Sequence, residues 1–301
     1  MKILITGATG YVGTTLVPYL LEHGIKQPCL LVRNKEKAQT LYADNALYID
    51  SSTDSWREVL IAYNPDVVLH MAGLLNSHHD AETAIALVNS NILLTTELLE
   101  AVSHTDCQYF INVGTCWEFR YGNEQFVPNT LYAATKSAVH PIISFYQTQS
   151  KWKWVNVILY SAYGKRNVPK KIFELLYDSL DAPKPMPFTK GEQILDFIHV
   201  DDIADFFYTL LKDLNKINDP FIQFHLGTGK GYSLREVAQV LERLTGKHVN
   251  ADWGALPYRP HELMYCVAPI AKNIEILGWR ATKSIEDGWG GVIRSISSSR
   301  E

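Results

Sequence analysis

Lys2-Ile3-Leu4-Ile5-Thr6, followed at once by Gly7-Ala8-Thr9-Gly10-Tyr11-Val12-Gly13 and then by Leu16, Leu20 and Leu21 at helical spacing, decides how this chain folds. The first run is rich in β-formers and the last has the period of a helix, so the order is strand, glycine loop, helix. Glycines at such a junction permit a tight turn and close backbone approach to a pyrophosphate. The helix start offers free N–H groups and the positive end of its dipole to the anion. Gly7, Thr9, Gly10, Tyr11, Val12 and Gly13 are therefore expected to hold a dinucleotide. The G-x-x-G-x-x-G form differs by one residue from the plain fingerprint, and its position directly after a strand gives it weight.

Working outward, the second strand, Pro28-Cys29-Leu30-Leu31-Val32, ends in Arg33-Asn34. An acidic residue there would grip the ribose 2′-hydroxyl of NAD, whereas an arginine suits the 2′-phosphate of NADP. Arg33, with Lys35 and Lys37 nearby, favours NADP(H) over NAD(H). Further strands are expected at 46–49, 66–71, 108–113 and 154–160, alternating with helical patterns, which predicts crossover connections and a parallel sheet. Asp66-Val67-Val68-Leu69-His70-Met71 is a near-continuous apolar run, as strands covered on both faces require. A helix at about 83–103 carries Ile85, Val88, Ile92, Leu98, Leu99 and Val102. After Gly164 the pattern loosens, with Pro169, Pro183, Pro185 and Pro187 punctuating a basic stretch, and a return strand is expected near 221–226. The expected architecture is α/β: a doubly wound parallel sheet over residues 1–164 with return segments near 196–228, and a smaller mixed α/β lobe over 165–301.

Tyr132-Ala133-Ala134-Thr135-Lys136 supplies the chemistry. Positions four apart share a helix face, so an ammonium lies beside a phenol whose ordinary pKa of about 10 is too high for neutral acid–base work. The pairing is expected to lower that pKa and let Tyr132 exchange a proton with a carbonyl oxygen beside a nicotinamide. Thr115, at the end of a strand seventeen residues earlier, can reach the same oxygen. Pro141 is expected to kink the helix after Lys136.

The composition limits the alternatives. A net charge of −4 gives no electrostatic reason to expect a nucleic acid partner. The four cysteines, Cys29, Cys107, Cys116 and Cys266, have no C-x-x-C spacing, which suggests neither zinc nor a disulfide framework and fits a reducing cytoplasm. A strand at residue 2 leaves no room for a signal peptide, and no apolar run is expected to reach membrane-spanning length. His199 beside Asp201 and Asp202 lacks the partners a metal needs, so no metal is expected; His70 reads as a core residue and His78-His79 as a solvated turn. Trp152, Trp154, Tyr160 and Tyr163 read as core and pocket wall, and Ser295 to Arg300 as a frayed tail.

With the glycine loop, Arg33, Tyr132 and Lys136 in place, the chain resembles the extended short-chain dehydrogenase/reductases, the nucleotide-sugar epimerases, dehydratases and ketoreductases with a Rossmann-type domain. Further marks are Asp66 to Gly73, Asn91-Ile92-Leu93-Leu94-Thr95, and Gly191 to Ala204. Gly114-Thr115-Cys116-Trp117-Glu118 and Asn129 to Lys136, with Tyr163-Gly164, the basic segment Lys165 to Lys171 and Arg259-Pro260-His261-Glu262, look most like the CDP-abequose and CDP-paratose synthase branch. The resemblance implies an NADPH-dependent reductase of a nucleoside-diphosphate (CDP or dTDP) 4-keto-6-deoxyhexose. In it Tyr132 gives the proton, Lys136 binds the nicotinamide ribose, Thr115 bonds the substrate oxygen, and Lys171, Gln193 and Arg259 face the substrate. It extends the cofactor set to Asn34, Asp50, Ser51, Met71, Ala72, Gly73, Asn91, Val113 and Ala162, and implies a homodimer built on helices 83–103 and that of Tyr132.

The chain departs from the family at Leu195, where many relatives carry arginine, at Pro141, and at Ala268-Pro269, which replace an acidic position. A dehydratase needs an Asp-Glu pair after the threonine, and here those positions are Cys116 and Trp117. Cys116 reads as a small packed hydrophobe, or as an acid or base at the sugar C5. A 4-epimerase with retained NAD is the alternative enzyme, and a non-catalytic dinucleotide sensor or scaffold the alternative of another class.

Overall fold

The computed structural model describes residues 1–77, 79–120, 125–164 and 170–298, with side chains as far as Arg294. The first half alternates strand and helix: β1 (Ile3–Thr6), α1 (Gly13–Glu22), β2 (Cys29–Val32), α2 (Lys35–Tyr42), β3 (Leu47–Asp50), α3 (Trp56–Tyr63), β4 (Val67–His70), α4 (Ala81–Val88), α5 (Leu94–Ser103), β5 (Tyr109–Thr115), α6 (Leu131–Gln149) and β6 (Lys153–Leu159). The second half mixes shorter pieces: β7 (Ser161–Tyr163), α7 (Ile172–Ser179), β8 (Met186–Phe188), β9 (Ile194–His199), α8 (Val200–Lys212), β10 (Phe221–Leu226), β11 (Gly231–Ser233), α9 (Leu234–Thr245), β12 (Ala251–Trp253), β13 (Tyr265–Cys266), α10 (Ala271–Leu277) and α11 (Ile285–Ser298).

The seven-stranded sheet has the order β10-β6-β5-β4-β1-β2-β3, and every pairing in it is parallel. Each expected strand forms within two residues of its expected bounds, β10 being the return strand. Because neighbouring residues of a strand point to opposite faces, Ile3 and Ile5 enter one core with α1 and α8, while Leu4 enters the other with α3, α5 and α6. Both cores are apolar, which is why these strands read as unbroken apolar runs. The doubly wound expectation is met. The order reverses between β1 and β4, and the crevice at such a switch point is where open α/β sheets bind ligands.

The second half builds a four-stranded sheet, β11-β9-β13 with β7 on β9, and a β12-β8 pair, over a separate core of Phe173, Leu176, Phe197, Leu241 and Trp289. After β9 the chain crosses back: α8 packs on α1, and β10 joins β6. Asp196 of β9 is the tie. Its carboxylate, 1% exposed, accepts hydrogen bonds from the Thr228 and Gly229 amides, the Thr228 hydroxyl and the Ala268 amide at 2.6–3.1 Å.

Two expectations need correction. Helices α4 and α5 are joined by a π turn, Asn89–Leu93, and the continuous run Ala81–Ser103 is long and apolar enough to cross a membrane by length and composition. Its inner residues Leu87, Asn91, Leu98, Leu99 and Val102 are buried in the protein. The Ser-rich end is not all frayed, since α11 runs to Ser298. Helix α6 continues past Pro141 to Gln149 as one helix. His78 and Lys165 to Pro169 of the basic segment lie outside the described residues. The four aromatic residues Trp152, Trp154, Tyr160 and Tyr163 are all buried, and His199 caps α8 by accepting from the Asp201 amide.

Candidate active site

The glycine loop lies against the turn that follows β4. Gly7 has φ +75°, and a Cβ there would stand 2.8 Å from the backbone of Met71 and Ala72; one on Gly13 would stand 2.3 Å from the Gly7 carbonyl. Only a bare backbone fits, and that leaves the start of α1 open to a pyrophosphate. Behind the loop, the Thr6 hydroxyl accepts from the Ala72 amide at 2.9 Å and bonds His70 Nδ1 at 2.8 Å, and His70 Nε2 bonds Thr95 at 2.9 Å. Burial, with the Lys136 charge adding to it, pushes His70 down to about 3, so the ring is a neutral strut for this turn. Sequence reading left it as a core residue; the polar positions Thr6, His70 and Thr95 in otherwise apolar stretches were the signal.

The ends of β2 and β3 stand side by side, Val32 pairing with Asp50. Arg33 is exposed just beyond, and Asn34 caps α2 by accepting from the Lys37 amide. Asp50 accepts from the Ser52 amide and hydroxyl, which with Lys35 hold its carboxyl below the usual range, and the Ser51 amide donates to Val32. The residues assigned to a ribose and its phosphate thus share one edge.

Thr115 ends β5, and Tyr132 and Lys136 lie one turn apart at the start of α6, which Thr130 caps by accepting from the Ala133 amide. Thr115 and Tyr132 are hydrogen-bonded side chain to side chain. Burial, then the charges of Glu118 and Cys116, push the Tyr132 phenol up; the Thr115 bond pulls it back. That corrects the expectation that Lys136 lowers it. The Lys136 ammonium, on a side chain 4% exposed, is itself lowered by burial and answered by Glu118. It reaches toward the turn after β4, lying 3.8 Å from where a Cβ on Gly73 would be. Asn91, in the π turn, holds that turn: Oδ1 accepts from the Leu74 amide at 2.7 Å, and Nδ2 donates to the Leu74 carbonyl and to Thr135.

Around this triad, Trp117 meets Tyr132 edge to face at 6.1 Å. The Cys116 thiol faces that of Cys266 in a buried apolar cluster, and that neighbour together with burial holds it well above the ordinary thiol value. Val113 lies on β5 two residues before Thr115, and Ala162 on β7. The Lys171 ammonium lies 5.0 Å from the Tyr11 ring, beside the glycine loop. Gln193 is buried, with Oε1 lacking a hydrogen-bond partner among the described residues. Arg259 is exposed on the loop after β12. Glu118 is the residue sequence reading passed over. It is fully buried, and the Thr115-x-x-Glu118 spacing of a capping box could have found it.

The glycine cradle, the β2–β3 edge and the pairing of half-buried Tyr132 with buried Lys136 fit a nicotinamide dinucleotide. Comparison with known proteins agrees. The chain is 24% identical to a CDP-abequose synthase of Yersinia pseudotuberculosis over 267 residues, 88% of this chain and 91% of that one. It is 25% identical to that of Salmonella typhimurium, covering 98% of each. The fold superposes with a TM-score of 0.85 on a UDP-glucuronic acid 4-epimerase from Bacillus cereus in complex with UDP-glucuronic acid and NAD, at 24% identity and covering 99% of this chain and 100% of that one. Residues 3–223 match the model of the NAD dependent epimerase/dehydratase family, and the chain is an NAD(P)-dependent enzyme belonging to that family.

Proposed function

We propose that this enzyme reduces the 4-keto group of a nucleoside-diphosphate 4-keto-6-deoxyhexose with NADPH, in the cytoplasm and as a homodimer. The observation that carries the reading is the Thr115–Tyr132–Lys136 triad, with Thr115 and Lys136 buried and Tyr132 half-buried, and with Cys116 and Trp117, not an acid and a base, in the two positions after Thr115. Elimination of water needs a proton taken and a proton given at neighbouring carbons, and these two side chains do neither. Proton exchange at a single carbonyl oxygen needs only the triad. Glycines 7, 10 and 13, Arg33 and Lys136 would hold the dinucleotide, which when bound supplies hydride. Thr115 orients the sugar oxygen, and Tyr132 gives it a proton as it gains charge. The two CDP-abequose synthases, CDP-sugar enzymes by name, support the substrate class.

The test is incubation with NADPH and a panel of CDP- and dTDP-4-keto-6-deoxyhexoses, following NADPH consumption and product stereochemistry. Stoichiometric oxidation of NADPH supports the reading. Interconversion of C4 epimers with tightly retained NAD and no net oxidation would sink it.

A further inference from the structure

Glu118 sits beneath the triad without reaching the crevice. Its side chain is fully buried; Oε1 accepts from the Thr115 amide at 2.7 Å, and Oε2 accepts from the Ser137 hydroxyl at 3.1 Å and lies 3.4 Å from His140 Nε2. That imidazole nitrogen has no hydrogen-bond partner among the described residues and is wedged between Phe126 and Trp154, so it has Glu118 in front and aromatic faces beside it. Gly114 makes room for the carboxyl group: a Cβ there would stand 2.7 Å from Oε1. One side chain therefore joins the end of β5, which carries Thr115, to the face of α6 that carries Tyr132 and Lys136.

We propose that Glu118 is a positioning residue for the triad: it fixes Thr115 against α6 and sets the charge that Tyr132 and Lys136 feel. Among the described residues it has two hydrogen bonds and no ammonium in ion-pair contact, an unusual place for a buried carboxylate, because desolvation is not fully repaid there. Burial accordingly raises Glu118 to about 7, against the Thr115 and Ser137 bonds and the Lys136 charge. The groups that face it are Tyr132, Lys136 and His140 from α6 and Cys116 on its own turn, with Cys266 of β13 behind that thiol. His140 is pushed down to about 4 by burial and then by Lys136, so near neutral pH Glu118 titrates beside a neutral ring.

Two variants separate geometry from charge. Glu118→Gln keeps an acceptor for the Thr115 amide and removes the titration; Glu118→Ala removes both. On the ligand-free protein, the infrared difference between parent and Glu118→Gln should show a protonated-carboxyl band that disappears as pH rises from 6 to 8. Turnover, which rests on the ketoreductase reading, should fall about 10²-fold in kcat for Glu118→Ala, the cost of a triad about 1 Å out of place. Glu118→Gln should restore kcat to within about tenfold and flatten the rate's dependence on pH between 6 and 8, with the KM for NADPH unchanged in both. Absence of the titrating band overturns the proposal, and so does a Glu118→Gln enzyme as slow as Glu118→Ala. If no sugar in the panel is reduced by the parent, the ketoreductase reading fails while the infrared titration still decides Glu118.

Discussion

Changing Tyr132 to phenylalanine deletes one oxygen and leaves the ring, Lys136 and the glycine cradle in place. We expect Tyr132→Phe to lose ~10²–10⁴ in rate on a 4-keto sugar that the parent reduces, while binding NADPH as the parent does. A variant within a few-fold of the parent would mean the proton comes from elsewhere. Arg33 is exposed just beyond Val32, which pairs with Asp50. Arg33→Ala should weaken NADPH by roughly tenfold to a hundredfold and leave NADH nearly untouched. Fluorescence titration showing equal losses would remove Arg33 from cofactor choice. His225, 9% exposed and bonded to Tyr160 and Gln223, is lowered to about 4 by burial and then by Lys272. Its folded value lies below the unfolded one of about 6.5, so its contribution is whole above pH 6.5 and is lost as pH falls toward 4. His70 and His140 act the same way, whereas Glu118, raised to about 7, adds stability as pH falls from 7. Between pH 6.5 and 5, His225→Gln should lose about 2 kcal/mol less than the parent in urea unfolding. Parallel curves would show that this ring titrates in the fold as it does in water.

Strands and helices of the first half were readable because their pattern is local: alternate burial on two faces, a glycine junction, and a helix, α6, that starts just after Pro128. Interruptions to periodicity were not. The π turn at Asn89–Leu93 places Asn91 inward on Leu74 and Thr135 and leaves Ile85, Val88 and Leu93 outward, and one extra residue in a turn leaves no mark on composition. Pro141 removes one hydrogen bond near the middle of the nineteen-residue α6, and the helix continues through it to Gln149. The triad's members were legible from spacing, but the direction of the Tyr132 shift was not. It depends on burial and on Glu118, whose inward orientation is set by a 3-10 turn, Cys116–Glu118. Exposed apolar residues mark the same two helices: Ile85 is 64%, Val88 43% and Leu93 49% exposed on one, and Phe145 56% on α6. A second copy packed on this face would cover them. Light scattering at micromolar concentration should give a dimer, and Phe145→Glu should give a monomer. A monomeric parent would overturn the assignment.

For the molecule as a whole, the two halves are interleaved in sequence and joined by few groups. The parallel sheet is completed only when β10 arrives from beyond β9, and β10 in turn packs on α10. Cys116 and Cys266 add a contact between the end of β5 and β13, directly beside Thr115. The carboxylate of Asp196 gathers amides from the β10–β11 turn and from the segment after β13 into one bonded knot. The smaller lobe is consequently not a portable cartridge. A chimera that exchanges residues 165–301 as a block would carry off a strand of the recipient's main sheet. One that exchanges only the stretch between β7 and β9 would leave Asp196 and its bonded partners in place.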